Sequence, residues 1–290
     1  GYTDAWSAEV NGADAFAAAA AVGVATESLR IGCAIVPIFT RPPALIAMGA
    51  ATAQAASGGR FCLGLGASSP VIVEQWMGST FERPVARMRE TVTAVRAALN
   101  GEKLSVEGKT IKSRGFRLEG PPAERVPIFL AALGPQMRRL AASEADGIAL
   151  FLASEEGVRI TRKAAGDLEL IERLFCFVDQ DPAEVRDACR WLFAPYLAVP
   201  GYNRFVAEQG FDREASAARD AWAAGDRKAA VAALSDRLVD ALAVSGSAQD
   251  CKDRIESLRD AGLDTPIIAL LSTSMNKESI KKALLDLAPR

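Results

Sequence analysis

Phe61-Cys62-Leu63-Gly64-Leu65 carries no charged side chain and no polar one beyond a thiol. A strand of that composition has no face to offer to water, so it belongs inside a sheet covered on both sides. Punctuation brackets it. Gly58 and Gly59 close the helix ahead of it, and Gly66-Ala67-Ser68-Ser69 follow with little side-chain bulk. Two readings fit that exit: a plain strand-to-loop turn, or a turn whose backbone amides approach a ligand.

Short apolar runs alternate with helical patterns along the rest of the chain, which is the signature of a parallel sheet. Strands are expected at 4–9, 29–36, 61–65, 126–132, 148–152, 174–178 and 267–271. Helices are expected at 14–25, from Pro42-Pro43 to Gly58, from Pro84 to Gly101, at 135–145, from Ser247 to Gly262 and at 277–287. Val85, Met88, Val92, Val95 and Leu99 repeat at steps of three and four, the spacing of one helix face. Ser247 with Asp250 forms a variant of the capping box. Residues 103–118 suit a hairpin turning at Glu107-Gly108, and 182–244 is mainly helical.

Seven strand–helix units are one short of a closed TIM (β/α)8 barrel. The expectation is therefore one α/β barrel domain over 1–290, with insertions near 67–82, 103–118 and 182–244. Its first strand and helix would be missing from this chain, which starts directly at a strand. An open doubly wound sheet is the alternative, but no Gly-rich dinucleotide fingerprint follows the first strand.

Composition narrows the chemistry. Half of the 290 residues are hydrophobic, enough for one large core or two smaller ones. The net charge of -2, with no block of like charge, points away from nucleic acid and from anionic membrane surfaces. No apolar run approaches the ~20 residues of a membrane-spanning helix. The absence of histidine removes Ser-His-Asp and Cys-His catalysis and any His-ligated metal, so no metal site is expected. The five cysteines are scattered without metal-ligand spacing and read as reduced thiols of a cytoplasmic protein.

Several stretches, in order, resemble the luciferase-like monooxygenase superfamily, in particular its deazaflavin (coenzyme F420)-dependent oxidoreductases. They are Ala5-Trp6-Ser7-Ala8-Glu9, Leu29-Arg30-Ile31-Gly32 with Thr40-Arg41-Pro42-Pro43, and Ser57 to Gly66. Phe81-Glu82-Arg83-Pro84, Arg87-Met88-Arg89-Glu90, Pro127 to Pro135 and Ala145-Asp146-Gly147 complete the set. The resemblance implies a (β/α)8 barrel with insertions, a flavin or deazaflavin ring across the barrel mouth, a small-molecule substrate and a homodimer.

It also implies site residues. Ala34 and Ile35 correspond to a strand bulge under the ring, often made with a non-proline cis peptide. Gly66, Ala67 and Ser68 would face the cofactor. Gly134, Pro135 and Gln136 open a helix at a strand end, where free amides and the helix dipole suit a phosphate; an ordinary tight turn is the other reading. Many family members carry a catalytic histidine where this chain has Val10. Glu9 remains, as a catalytic acid or cofactor-orienting group, or as a structural carboxylate. Arg60, Arg83, Arg87 and Arg89 could meet an acidic cofactor tail or simply pair with Glu82 and Glu90. Trp76 and Phe81 could cover the ring or pack on the barrel. Tyr196, Tyr202, Asn203 and Phe205 could shape the substrate pocket, or belong to a lid or an interface.

The expected activity is hydride transfer between coenzyme F420 and a small organic substrate. The alternatives are an FMN-dependent monooxygenase and a non-catalytic flavin- or deazaflavin-binding protein.

Overall fold

A computed structural model describes residues 1–272 and 277–289. The chain divides into two compact units, Tyr2–Ala149 and Leu150–Arg290, the second also taking Gly1.

The first unit is built from strand–helix repeats. β1 (Asp4–Ser7) leads to α1 (Ala15–Ala25), β2 (Arg30–Pro37) to α2 (Pro43–Ala56), and β3 (Phe61–Gly66) to a π-type turn, Val71–Trp76, and then α3 (Pro84–Leu99). A hairpin of β4 (Ser105–Glu107) and β5 (Lys112–Arg114) precedes β6 (Ile128–Ala131), α4 (Pro135–Glu144) and β7 (Gly147–Leu150). The strands pair in parallel in the order β1-β2-β3-β6-β7.

Every residue of β3 is buried, as its composition requires. Its two faces pack differently. Phe61 meets Phe16 of α1 on one side, at 6.1 Å between ring centroids. On the other side Trp6 of β1 stands edge-on to Phe129 of β6 at 5.5 Å. Gly32 makes room for that indole, because a Cβ there would lie 2.5 Å from Trp6 Cδ2. The hairpin is tied down by Glu90 of α3, which accepts from the amides of Lys109, Thr110 and Ile111 at 2.9 Å each. Burial pushes the Glu90 carboxyl up, but the Thr110 hydroxyl and these amides outweigh it and hold the group below its ordinary range.

The second unit runs α5 (Glu155–Ala165), β8 (Glu169–Val178), then α6 (Pro182–Leu197) and α7 (Pro200–Val206). After α8 (Asp212–Ala223), α9 (Arg227–Ala232) and α10 (Asp236–Leu242) come β9 (Val244–Gly246), α11 (Ala248–Asp260), β10 (Thr265–Leu270) and α12 (Lys277–Leu287). β9 and β10 both pair in parallel with β8. The helices of 182–244 close over a core of Phe175, Phe177, Phe193, Leu197 and Phe211. The Ser247–Asp250 capping box forms as expected at the start of α11.

Four details depart from the sequence reading. The first strand stops at Ser7 rather than at residue 9. β8 begins at Glu169, five residues early, because Glu172 and Arg173 break the apolar pattern although they lie within the strand. β9 is too short to leave a pattern, so the expected helical insertion ends in a strand; α5 was likewise not anticipated.

Candidate active site

The strands of the first unit run parallel, so their C-terminal ends share one edge of the sheet, and the expected site residues fall there. Two residues of β2, Ala34 and Ile35, stand opposite the single Gly64 of β3, since Cys33 pairs with Leu63 and Val36 with Leu65. This is the anticipated bulge, and the Ala34–Ile35 peptide bond is cis. The glycines of Leu63-Gly64-Leu65-Gly66 serve it. A Cβ on Gly64 would overlap the Cys33 carbonyl oxygen, and one on Gly66 would lie 2.5 Å from Ile35 Cδ1. The bulge is then locked to its neighbours: Glu9 N–H donates to the Ile35 carbonyl at 3.3 Å and Ile38 N–H to the Gly66 carbonyl at 2.9 Å.

Glu9 lies two residues past β1. Its Oε1 accepts from Arg41 Nε at 2.9 Å; its Oε2 accepts from Arg41 Nη2 at 2.7 Å and from Ala15 N–H at 3.1 Å. Arg41 also donates to Asp14, the N-cap of α1, and lies 5.3 Å from the centre of the Phe16 ring. The side-chain bonds to Glu9 and then Asp14 push the Arg41 guanidinium up in pKa. The Ala17 amide and Arg41 hold the Asp14 carboxyl below its ordinary range. Glu9 is thus a carboxylate fixed by a bidentate fork and an amide. Arg41 was not singled out from the sequence; its place directly before Pro42-Pro43, at the N-terminus of α2, was the available signal.

Beyond β3, Ala67 and Ser68 are half-buried, with Ser68 in the left-handed region at φ 63°. Ser69 leads into the π-type turn, its carbonyl accepting from Val73 N–H at 2.9 Å and its hydroxyl from Ile72 N–H at 3.4 Å. Gly134 is the N-cap residue of α4, with no side chain capping its amides, and Pro135 and Gln136 are exposed in the first turn. A Cβ on Gly134 would meet nothing within 4 Å, and its φ of -87° is open to any residue. Neither packing nor backbone conformation demands glycine there, so the helix start presents an open seat of free amides.

Of the other candidates, Arg60 lies away from this edge, whereas Arg87 and Phe81 meet the residues that follow β2. Arg60 clamps backbone carbonyls, Gly23 at 2.9 Å and Thr26 at 2.6 Å among them, where β3 begins. Arg87 donates to the carbonyls of Ile38 at 3.1 Å and Thr110 at 3.0 Å and lies over Phe39. Phe81 stacks on Phe39 at 4.8 Å, whereas Trp76 is half exposed. A cavity of about 270 Å³ opens at the opposite edge of the sheet, among Arg96, Asn100, Pro121, Glu124 and Arg125, and no expected site residue lines it.

In the second unit, Tyr196 and Tyr202 meet Phe151 edge-on at 5.0 and 5.9 Å, and each other at 5.2 Å. Arg173 lies against Phe175 at 4.6 Å and Phe151 at 5.6 Å, a cation among ring faces that sequence reading missed because β8 was begun too late. Asn203 is structural: its amide donates to the Leu197 and Ala215 carbonyls at 2.7 and 2.6 Å, and Phe205 is core.

This architecture is that of a TIM-barrel-type α/β protein. A solved F420-dependent tetrahydromethanopterin reductase from Methanopyrus kandleri matches it with a TM-score of 0.78, covering 98% of this chain and 89% of that one at 21% identity. The luciferase-like monooxygenase family model matches residues 1–265, and the chain belongs to that family. A 5,10-methylenetetrahydromethanopterin reductase from Methanolobus tindarius is 28% identical over 98% of this chain and 90% of its own length. An F420-dependent glucose-6-phosphate dehydrogenase from Rhodococcus erythropolis is 28% identical over 68% of this chain and 63% of its own.

Proposed function

We propose that this protein is an oxidoreductase of one luciferase-like domain, transferring a hydride between coenzyme F420 and a small organic substrate. The observation that carries the proposal is the open amide seat at Gly134, on the same sheet edge as the Ala34–Ile35 bulge. When bound, the deazaflavin supplies the redox chemistry. The chain supplies its placement. The N–H groups of Gly134, Gln136 and the rest of the first turn of α4 suit the phosphate of the cofactor, with Pro135 shaping the turn but donating nothing, Ala34 and Ile35 support the ring, and Gly66, Ala67 and Ser68 border it. Glu9 is read as a positioning carboxylate of the rim. Its fork with Arg41 and its bond from the Ala15 amide fix it in place, and Glu9→Gln should then lower F420 affinity and turnover together.

The relatives named for F420 favour this cofactor over FMN. We also read the protein as a cytoplasmic homodimer. Its buried thiols support the first point: burial pushes the Cys33 thiol up to about 12, which suits inert, reduced cysteines. Leu45 and Met48, 43% and 48% exposed on α2, offer an apolar face for the second, which light scattering of the purified protein would test.

Gly134→Asp tests the central claim. Aspartate is a favoured N-cap, worth ~1 kcal/mol to the helix, yet it sets a negative charge in the phosphate seat. The variant should melt no lower than the wild type while F420 affinity, read by quenching of cofactor fluorescence, falls at least about tenfold. Unchanged affinity removes the seat from the proposal.

A further inference from the structure

Five arginines of the second unit are half-buried: Arg162, Arg173, Arg186, Arg190 and Arg254. Four are satisfied. Arg162 is held by Asp264 and the Gly262 carbonyl, Arg186 by Asp240, Arg190 by Asp236 and Asp187, and Arg254 by Glu155 and the Ala241 carbonyl. Arg173 has no hydrogen-bond or carboxylate partner among the described residues, and its Nε is buried. A guanidinium withdrawn from water without an anion is costly unless a ligand completes it.

Its surroundings specify the ligand. The rings of Phe151 and Phe175 fix the guanidinium by cation–π contact, leaving its N–H edges for hydrogen bonding. Tyr196 and Tyr202 are half-buried beside Phe151, and their hydroxyls also lack partners among the described residues. Burial pushes the Tyr202 hydroxyl up to about 12, so it stays a donor at neutral pH. The arrangement offers one positive charge in a planar fork, two phenol donors and aromatic walls. A single fork matches the charge and shape of one carboxylate, whereas a phosphate dianion calls for more positive charge than Arg173 brings.

We propose that Arg173, Phe151, Tyr196 and Tyr202 form a substrate subsite for a carboxylate borne on a planar ring, with Arg173 as its anion-recognition residue. That the carboxylate belongs to the substrate rests on the oxidoreductase reading; the subsite itself does not.

Calorimetric titration with benzoate and with benzamide, its neutral counterpart, tests the subsite on the full chain without F420. Benzoate should bind about tenfold tighter than benzamide or better. Arg173→Met should abolish that preference, Arg173→Lys should keep part of it, and Tyr202→Phe should weaken benzoate a few-fold. Circular dichroism identifies any variant that fails to fold, and the wild-type comparison stands without variants. Equal binding of the two probes, binding of neither, or a preference that survives Arg173→Met overturns the proposal. If Arg173→Met weakens F420 by the same factor as benzoate, the anion belongs to the cofactor and the substrate assignment is refuted. An intact benzoate preference in a protein that does not bind F420 would instead refute only the hydride-transfer reading.

Discussion

Glu172 lies in β8, 1% exposed. Its Oε1 accepts from Ala153 N–H at 2.7 Å, while its Oε2 has no hydrogen-bond partner among the described residues. Burial pushes its carboxyl from 4.5 up to about 8, against smaller downward pulls from the Ala153 amide and Arg254. Between those values the folded protein holds a proton that the unfolded chain has released. Stability from this group is therefore complete below pH 4.5, declines as pH rises toward 8, and is gone above it. At 1.36 kcal/mol per unit the full swing is ~5 kcal/mol, an upper figure because water entry on charging relaxes it. Glu172→Gln keeps the acceptor for Ala153 and removes the ionisation. Melting temperatures of both proteins at pH 5, 7 and 9 isolate the group, because every other titration cancels in the difference. With roughly 2 °C per kcal/mol for a chain of this size, the variant should gain about 5 °C or more on the wild type between pH 5 and pH 9. Parallel profiles would show that Glu172 is not held protonated by burial, and the reasoning would fail.

Other consequences are more direct. Gly64→Ala should cost ~3 kcal/mol or more, seen as a lowered denaturation midpoint, since its Cβ would overlap the Cys33 carbonyl oxygen. Gly134→Ala, with open space around it, should leave stability within ~0.5 kcal/mol of wild type by the same assay. Gln209→Leu should destabilise by ~3 kcal/mol in urea titration, because Gln209 bonds to Ser154 N–H, the Ser154 hydroxyl and the Leu152 and Phe205 carbonyls in a buried setting. Arg41→Met should lower stability and F420 affinity together, in thermal melts and fluorescence titration, since it unpairs Glu9 and Asp14 at once.

Most of the fold was legible because strands buried on both faces and capped helices write their periods into local sequence. Phe61–Gly66, Pro84–Leu99 and the Ser247–Asp250 box lie close to where their patterns put them. The displaced start of β8 has a physical cause. Glu172 and Arg173 are ionisable residues inside a strand, where the Ala153 amide meets the first and the rings of Phe151 and Phe175 meet the second. Ala153 and Phe151 lie outside any window centred on β8, so the local apolar pattern breaks at Glu172 and Arg173.

The same distinction separates the two halves of the candidate chemistry. The bulge was readable because family motifs name Ala34-Ile35 and the glycines that accommodate it lie within one short strand. The Glu9–Arg41 fork spans 32 residues. The ring cluster draws on Phe151, Arg173, Tyr196 and Tyr202, spread over 52 positions. A residue type at one position cannot reveal whether its charge is answered; only the folded chain brings the answer within reach, or withholds it. Glu9 and Arg173 show both outcomes. The acid of the rim finds a guanidinium and an amide and becomes part of the scaffold, whereas the arginine of β8, among the described residues, meets aromatic rings alone. A charge that the fold leaves unanswered, after answering four similar ones in the same unit, is where binding specificity should be sought first.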